Sequence, residues 1–227
     1  MATAVIIAGS TGTGKTYSIK GLNPESTIII QVNAEKGFMP WKGSKAMYST
    51  EKKNLFNIDN YSTVIQYLEN ISEKCPNVHN IVIDDAIYIM RTEFFDRSKE
   101  KGYEKYTELA THFRDIIKTI GTLRDDIKVF LMMHIEPVIS DGTIMTYKLS
   151  SVGKLLDEKS NPMELVSIAL FTSLKFEDGE PVYQFITNAI LDKGVMIPAK
   201  SPAEMFSDKY IPNDLGLVAK AIEEYYN

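Results

Sequence analysis

The chain of 227 residues is poor in the features that mark secreted, membrane-spanning and zinc-binding proteins. Its one cysteine, Cys75, excludes an internal disulfide and a cysteine-based zinc cluster, as is typical of a reducing compartment. No apolar run approaches the roughly 20 residues that span a bilayer. A strand-like segment follows Met1 directly, without the basic and small-residue signals of a secretion leader. These absences predict a cytoplasmic protein that does not enter a membrane.

Positive charge is also scarce, and it is unevenly distributed. The formal net charge of −5 argues against broad, charge-driven binding of nucleic acid, although it leaves a local basic groove open. The arginines all lie in the middle of the chain: Arg91, Arg97, Arg114 and Arg124. We therefore expect any cation that the C-terminal third supplies to a phosphate to be a lysine.

Short apolar runs alternate with longer helical patterns, which predicts an α/β fold with a mostly parallel sheet flanked by helices, in one domain over residues 1–227. The runs are apolar throughout, as expected for strands that are buried on both faces. The predicted strands are Ala2–Ala8, Ser26–Val32, Asn80–Asp84 and Ile127–Met133. The predicted helices are Lys15–Lys20, Tyr61–Lys74 with Ser62 as its N-cap, Ala86–Lys99, Tyr103–Leu123 and Leu215–Tyr226.

Residues 136–188 change character and favour β-hairpins. Asp141-Gly142 lies between the β-prone segments Pro137–Ile139 and Thr143–Tyr147, and this dipeptide is a strong hairpin signal. A second hairpin is predicted around Glu177–Glu180, where it joins Val166–Phe176 to Val182–Ile186. We therefore expect the C-terminal half to add hairpins to the parallel sheet.

The strongest motif is a phosphate-binding loop that matches G-x-x-x-x-G-K-[ST] in full. Its residues are Gly9, Ser10, Thr11, Gly12, Thr13, Gly14, Lys15 and Thr16. The loop follows a predicted strand and opens a predicted helix, so backbone N–H groups and the positive helix end can face phosphate oxygens. Lys15 is expected to reach the β- and γ-phosphates, and the Thr16 hydroxyl to bind Mg²⁺. The motif predicts binding of a nucleoside triphosphate.

Acidic residues follow two of the predicted strands. Ile81–Asp85 is an apolar run that ends in two carboxylates, and Asp84, the first of them, is predicted to hold Mg²⁺. Asp85 either polarises the attacking water or caps the helix that follows. Glu35, just past the second strand, either orients a water against the γ-phosphate or is a solvated loop residue.

His134 follows the predicted strand that ends at Met133. Ligands of parallel α/β sheets bind beyond the carboxyl ends of the strands, so a polar side chain there is placed to sense the γ-phosphate. The alternative is a structural histidine with no contact to the nucleotide.

These motifs occur in one order together with several segments further along the chain. The further segments are Lys101–Lys105, Leu123–Asp126, Gly153–Asp157, Ala199–Pro202 and Asn213–Leu215. The series resembles bacteriophage ATP-binding proteins with a short RecA-like core, including the Sak-type single-strand annealing ATPases. The resemblance spans nearly the whole chain, and the downstream segments are its more specific part.

The resemblance implies a RecA-like P-loop ATPase, dependent on ATP and Mg²⁺, that serves phage DNA recombination or replication in the cytoplasm of a bacterial host. It implies Glu35 as the catalytic base and His134 as a switch-like sensor. It also implies a homo-oligomeric ring or filament with ATP between subunits, in which a neighbour's cation completes each site. The candidate cations are Lys148, Lys154 and Lys200.

The partners implied by the resemblance are single-stranded DNA and a single-strand-binding protein. Tyr147, Lys148 and Lys154 form the best available patch for DNA, since an aromatic ring can stack on a base while lysines contact phosphates. The acidic net charge and the lack of a dense basic run with interleaved aromatics speak against a long DNA-binding groove.

Two other functions fit the same phosphate-binding loop. A small-molecule or nucleotide kinase closes an arginine-bearing lid over the transferred phosphate, and residues 136–188 contain no arginine. A nucleotide-gated binding module hydrolyses little and reports the nucleotide state to a partner. The chain also lacks an N-K-x-D base-reading motif, so its motifs predict a triphosphate without choosing between ATP and GTP.

Overall fold

The computed structural model describes residues 1–32, 37–152 and 161–226, whose strands join into one open sheet. The strands are β1 (Thr3–Gly9), β2 (Thr27–Gln31), β3 (Leu55–Asn57), β4 (Asn80–Asp84), β5 (Lys128–Ser140), β6 (Thr143–Leu149), β7 (Ile168–Glu177), β8 (Glu180–Ile186), β9 (Ile190–Asp192), β10 (Val195–Ile197) and β11 (Tyr210–Pro212). The α-helices are α1 (Ser44–Met47), α2 (Tyr61–Lys74), α3 (Ile87–Asp96), α4 (Glu104–Thr122) and α5 (Leu215–Tyr226). Two 3₁₀ helices cover Thr16–Gly21 and Pro162–Leu165.

The main path of the sheet runs β11-β8-β7-β1-β5-β4-β2-β3. Each pair from β7 to β3 along this path is parallel, whereas β8 and β11 are antiparallel additions. Strand β5 lies between β1, which leads into the phosphate-binding loop, and β4, which ends at Asp84. The predicted fold class, an α/β fold with a mostly parallel sheet, flanking helices and C-terminal hairpins, is confirmed.

Both faces of the central strands are covered, which explains why their sequences are apolar throughout. In β1, Val5 and Ile7 pack into a core with the first 3₁₀ helix and α5. The alternate residues, Ile6 and Ala8, pack into the core on the other face, with α2, α3 and α4. All four are completely buried, so successive residues of one strand stabilise opposite layers.

The predicted helices agree with the structure in position, with one wrong cap, and the short helix α1 was not predicted. Ser62 does not cap α2; the Asn60 side chain does, because its Oδ1 accepts hydrogen bonds from the N–H groups of Ser62 and Thr63. Gly102, with φ of 102°, separates α3 from α4, as predicted. Within the described residues, no helix combines the length and the apolar character that crossing a bilayer requires.

The hairpins are confirmed, and a third one was missed. Strand β5 continues through His134 to Ser140, where it pairs with β6 across a turn at Asp141-Gly142. The second hairpin, β7–β8, turns at Asp178-Gly179. Both residues of each turn have positive φ, as the tight turns of hairpins require. The third hairpin joins β9 to β10, strands of three residues each, too short for their alternation to be recognised in the sequence.

Arg124 fastens the end of α2 to the start of β5. Its guanidinium donates to the carbonyl oxygens of Ser72 and Val78, both at 2.8 Å, and to Oδ1 of Asp126 at 2.8 Å. These bonds satisfy backbone carbonyls that follow the helix and the loop after it. Chiefly because Arg124 donates to it, the Asp126 carboxyl has a pKa below its usual range.

We predict that Arg124→Met lowers the free energy of unfolding by about 2–3 kcal/mol, because several buried or half-buried carbonyls lose a charged donor. Chemical denaturation measures the change, and Arg114→Met, at an exposed position of α4, is the matched control. Because the folded-state pKa of Asp126 is lowered, its stabilisation is present above the unfolded value of about 3.9 and is lost as pH falls through the folded value. The variant should therefore lose less stability in acid than the wild type; an equal loss contradicts the assignment.

Candidate nucleotide-binding site

The carboxyl ends of the parallel strands bring the predicted site residues to one edge of the sheet. Gly9, the last residue of β1, lies beside His134 in the register of β1 and β5. Asp84, the last residue of β4, lies beside Gln31 in the register of β2 and β4. The phosphate-binding loop, the predicted metal-binding acid and the predicted sensor therefore share one edge, as the sequence predicts.

The phosphate-binding loop folds around its own lysine. The Lys15 ammonium donates to the carbonyl oxygens of Gly9 at 2.8 Å and Ser10 at 2.9 Å, and the residue is 6% exposed. Gly12 and Gly14 adopt φ values of 81° and 95°, which side chains rarely permit, so the tight loop requires glycine there. Consecutive N–H groups of such a loop form an anion-binding concavity, to which Lys15 adds a full positive charge.

Strand β7 supports the loop from the side, through a residue that the sequence did not indicate. A Cβ on Gly9 would lie 1.8 Å from Oγ1 of Thr172, so this contact demands glycine. The same hydroxyl lies 2.6 Å from Oγ1 of Thr13, within the loop. Thr172 has no motif around it, and only the pairing of β1 with β7 brings it here.

The helix after the loop is too short to offer a strong dipole to a bound phosphate. It is a 3₁₀ helix of six residues, Thr16–Gly21, in the position predicted for a helix over Lys15–Lys20. The field at a helix end grows with the number of aligned peptide dipoles, so this element adds little. The expected helix contribution is therefore minor, and the loop N–H groups and Lys15 supply most of the attraction for phosphate.

Thr16 and Asp84 form the predicted metal-binding pair. The Thr16 hydroxyl donates to Oδ1 of Asp84 at 3.0 Å, and Asp84 is completely buried at the end of β4. A hydroxyl and a carboxylate are oxygen ligands of the kind that Mg²⁺ prefers, and Mg²⁺ takes the remaining ligands from water and phosphate. The two side chains therefore fit a magnesium ion that is bound together with a triphosphate.

Asp85 turns away from Asp84 and contacts His134. Its φ of 58° is unusual for a residue other than glycine, and the change of direction sends the two adjacent carboxylates to different partners. Oδ1 of Asp85 lies 3.2 Å from Nε2 of His134. Asp85 is 5% exposed, so its buried carboxylate holds the orientation of the His134 imidazole.

His134 is also linked to the first hairpin. Its carbonyl oxygen accepts a hydrogen bond of 2.7 Å from the N–H of Ser150, just after β6. The Ser150 hydroxyl in turn accepts from Nη2 of Arg91, on α3, at 3.1 Å. The sequence indicated neither link, because each joins residues that lie far apart in the chain.

Glu35 lies outside the described residues, but hydrogen bonds tie the two flanks of its segment to the ends of β4 and β2. The N–H of Val32 donates to the Asp84 carbonyl oxygen at 3.2 Å. On the other side, the Gln31 side chain donates to the carbonyl oxygen of Gly37 at 2.9 Å, while Gln31 itself is paired with Asp84. Val32 therefore lies beside the predicted metal-binding acid, and Gly37 lies beside the end of β2.

Of the three lysines proposed as neighbour or DNA contacts, Lys148 and Lys200 lie among the described residues. Lys148 makes an ion pair of 3.0 Å with Glu136 across β5 and β6, and both side chains are partly exposed. Lys200 is hydrogen-bonded through its backbone to Ala169 of β7. Lys154 lies outside the described residues.

One groove lined by described residues lies away from this edge. It has a volume of about 970 Å³ and lies at the amino ends of the central strands, where Thr3, Asn80 and Lys128 line it. The chemistry of the loop, and not the size of a cavity, therefore identifies the candidate site.

Comparison with known proteins gives one family. A family model described as an AAA domain matches residues 1–189. Among solved structures, the chain is similar to a KaiC-like protein from Pyrococcus horikoshii, with 12% identity, coverage of 86% of this chain and 88% of that chain, and a TM-score of 0.46. A search of curated proteins gives no match.

We predict that Gly9→Ala lowers the free energy of unfolding by about 1–3 kcal/mol, because the added methyl group collides with the Thr172 hydroxyl. The double variant Gly9→Ala/Thr172→Ala removes the nearest colliding atom, while the Thr13 hydroxyl stays 2.9 Å from the added Cβ, so it should recover part of the loss. Thr172→Ala alone is the control, and thermal or chemical unfolding gives the values. Equal stability of the two Gly9 variants would show that Thr172 does not impose the glycine.

Proposed function

The chain belongs to the AAA-domain family, and we propose that it hydrolyses ATP with Mg²⁺ at the edge formed by β1, β5 and β4. One observation carries the proposal: the lysine of the phosphate-binding loop and the buried Thr16–Asp84 pair stand at neighbouring positions of one sheet edge. Lys15 suits phosphate and the Thr16–Asp84 pair suits magnesium, and a P-loop ATPase needs both groups at one site.

Lys15 and the loop N–H groups would hold the phosphates. The carbonyl oxygens of Gly9 and Ser10 now hold the Lys15 ammonium, so its charge is kept at the loop rather than in solvent. Thr16 and Asp84 would hold Mg²⁺, which neutralises negative charge on the phosphates when it is bound. Positioning and charge stabilisation of this kind supply most of the catalysis in phosphoryl transfer.

Glu35 is the proposed general base, which would accept a proton from the water that attacks the γ-phosphate. Support comes from two hydrogen bonds at the flanks of its segment: Val32 donates to Asp84, and Gln31 donates to Gly37. His134 is the proposed γ-phosphate sensor, because it is the strand neighbour of Gly9. Asp85, which contacts the imidazole, is the residue that orients it.

We further propose that the protein acts on single-stranded DNA as a homo-oligomer, in phage recombination or replication, with a single-strand-binding protein as a second partner. The support is the resemblance in the order of motifs, together with lysines outside the loop that a neighbouring site or a DNA strand can recruit. The Lys148–Glu136 pair is 38% and 42% exposed, so little energy opposes its exchange for a phosphate.

Two substitutions separate binding from hydrolysis. Glu35→Gln should keep ATP binding and lower turnover by about 100-fold or more, since the amide cannot accept the proton. Lys15→Ala should weaken ATP binding itself and abolish turnover. Phosphate release gives the rates, and calorimetry with Mg-ATP gives the affinities. Unchanged turnover in Glu35→Gln would remove the base assignment, and unchanged binding in Lys15→Ala would remove the site.

The DNA proposal is tested by the mass of the particle in solution. We expect a larger assembly with Mg-ATP and single-stranded DNA than with either alone, and faster ATP turnover when DNA is present. Mass photometry and light scattering at low salt measure the assembly, because phosphate contacts weaken steeply as salt rises. Lack of DNA contact in the presence and absence of ATP would contradict this part and leave the ATPase assignment intact.

A further inference from the structure

The position of the metal pair fixes the direction in which a bound triphosphate lies. Thr16 and Asp84 mark the metal end, on the β5–β4 side of β1. The other end of the triphosphate, which carries the nucleoside, then lies toward β7 and β8, on the opposite side of β1. In the register of β7 and β8, Thr172 faces Phe185 and Leu174 faces Tyr183, so Thr172 and Tyr183 share one face of the sheet. Thr172 contacts the loop, which places Tyr183 on the loop's face.

Two aromatic rings lie on this nucleoside side. Tyr183 packs so closely on the loop that a Cβ on Gly14 would be 2.9 Å from its Cδ1. The ring of Tyr17, just after the loop, lies 6.3 Å from that of Tyr183, with an angle of 32° between the planes. Tyr17 is 40% exposed, so its ring can turn outward without opening a cavity in the core. Aromatic faces of this kind stack on nucleobases.

Asn213 places an unpaired amide beside the same rings. Its backbone N–H donates to the Tyr183 carbonyl oxygen at 3.3 Å, and its Oδ1 would be 3.1 Å from a Cβ on Gly14. Both polar atoms of the side chain are buried, and neither has a hydrogen-bond partner among the described residues. Buried amides are almost always paired, so such a group calls for a ligand.

The next residue holds Asn213 in place. Oδ1 of Asp214 accepts from the N–H groups of Gly216 and Leu217 at the start of α5, at 2.7 and 3.2 Å. The same oxygen would be 1.8 Å from a Cβ on Gly21, at the end of the first 3₁₀ helix. This close packing ties α5 to the element that follows the loop, so the Asn213 amide has a fixed place relative to Gly14.

We propose that Asn213 reads the nucleobase and selects adenine. The proposal rests on the proposed function, because it assigns the base-binding part of the same site. A carboxamide offers one donor and one acceptor side by side, which match the adjacent N7 acceptor and N6 amino donor of adenine. The guanine N7 and O6 are both acceptors, so that edge leaves the amide oxygen unpaired. The base reaches the amide as Tyr17 turns outward, and the ring then covers the base. Asn213 lies beyond residue 189, where the match to the family model ends.

Nucleotide affinities in the presence of Mg²⁺ test the proposal. The probes are ATP, GTP, purine riboside 5′-triphosphate, which lacks the amino group, and inorganic tripolyphosphate. In the wild type, ATP should bind about tenfold or more tightly than the purine analogue or GTP, the discrimination that a bidentate amide gives. In Asn213→Ala the preference for ATP should disappear while tripolyphosphate binding stays unchanged. Asn213→Asp, which only accepts hydrogen bonds, should weaken ATP binding relative to tripolyphosphate binding, because the adenine N7 then faces an acceptor.

Gln184→Ala is the matched control. The Gln184 Oε1 is likewise buried without a described partner, but Gln184 lies next to Tyr183 in β8 and its side chain is on the opposite face of the sheet. This variant should leave the preference for ATP intact. An unchanged preference for ATP in Asn213→Ala overturns the assignment, as does an equal loss in Gln184→Ala. If Asn213→Ala does not fold, as judged by circular dichroism, the nearly isosteric Asn213→Asp decides: an unchanged ratio of ATP affinity to tripolyphosphate affinity overturns the assignment. Tripolyphosphate binding without base discrimination in the wild type overturns this inference alone, whereas no binding of any probe overturns the proposed function as well.

Discussion

The buried carboxylate of Asp84 is the constraint on which the candidate site depends. A carboxylate without solvent is costly to bury unless donors or cations surround it. Here the Thr16 hydroxyl is one donor, and its bond ties the end of β4 to the residue that follows the phosphate-binding lysine. A bond between these two elements holds the loop at a fixed distance from the acid, across the width of β5. The same pair of oxygens suits magnesium, so one arrangement serves both the stability of the edge and its chemistry.

The order of strands explains why so many functional groups meet there. With β5 between β1 and β4, β1 and β4 end at this edge and β5 leaves the parallel sheet there. Each strand contributes one group: the loop after Gly9, His134 and Asp84. Asp85 then joins two of these strands through its contact with His134. The left-handed backbone of Asp85 is the local feature that allows adjacent carboxylates to serve different partners.

The sequence predicts those parts of the structure that depend on local chemistry. Three features act through their immediate neighbours in the chain, so their sequence patterns can be recognised: the glycines and lysine of the loop, the acid at the end of an apolar strand, and the Asp-Gly turns. Thr172, Tyr183 and Asn213 reach the loop only through the pairing of β7 and β8 and the packing of α5, which no short pattern encodes. The wrong cap of α2 has a smaller cause: Asn60 and Ser62 are both good capping residues, and the backbone decides between them. The roles of all the candidate site residues stay predictions, and Glu35 and Lys154 also lie outside the described residues.

Strand β5 has a mechanical consequence. It is one extended segment from Lys128 to Ser140, and His134 sits where it leaves the parallel sheet. At about 3.4 Å per residue, the stretch from His134 to the bulge after Val138 is an extended segment roughly 14 Å long. At the start of this stretch, the N–H of Ser150 donates a hydrogen bond to the carbonyl oxygen of His134. A small tilt of the peptide at His134 would therefore displace Val138 by a larger distance than it displaces His134 itself.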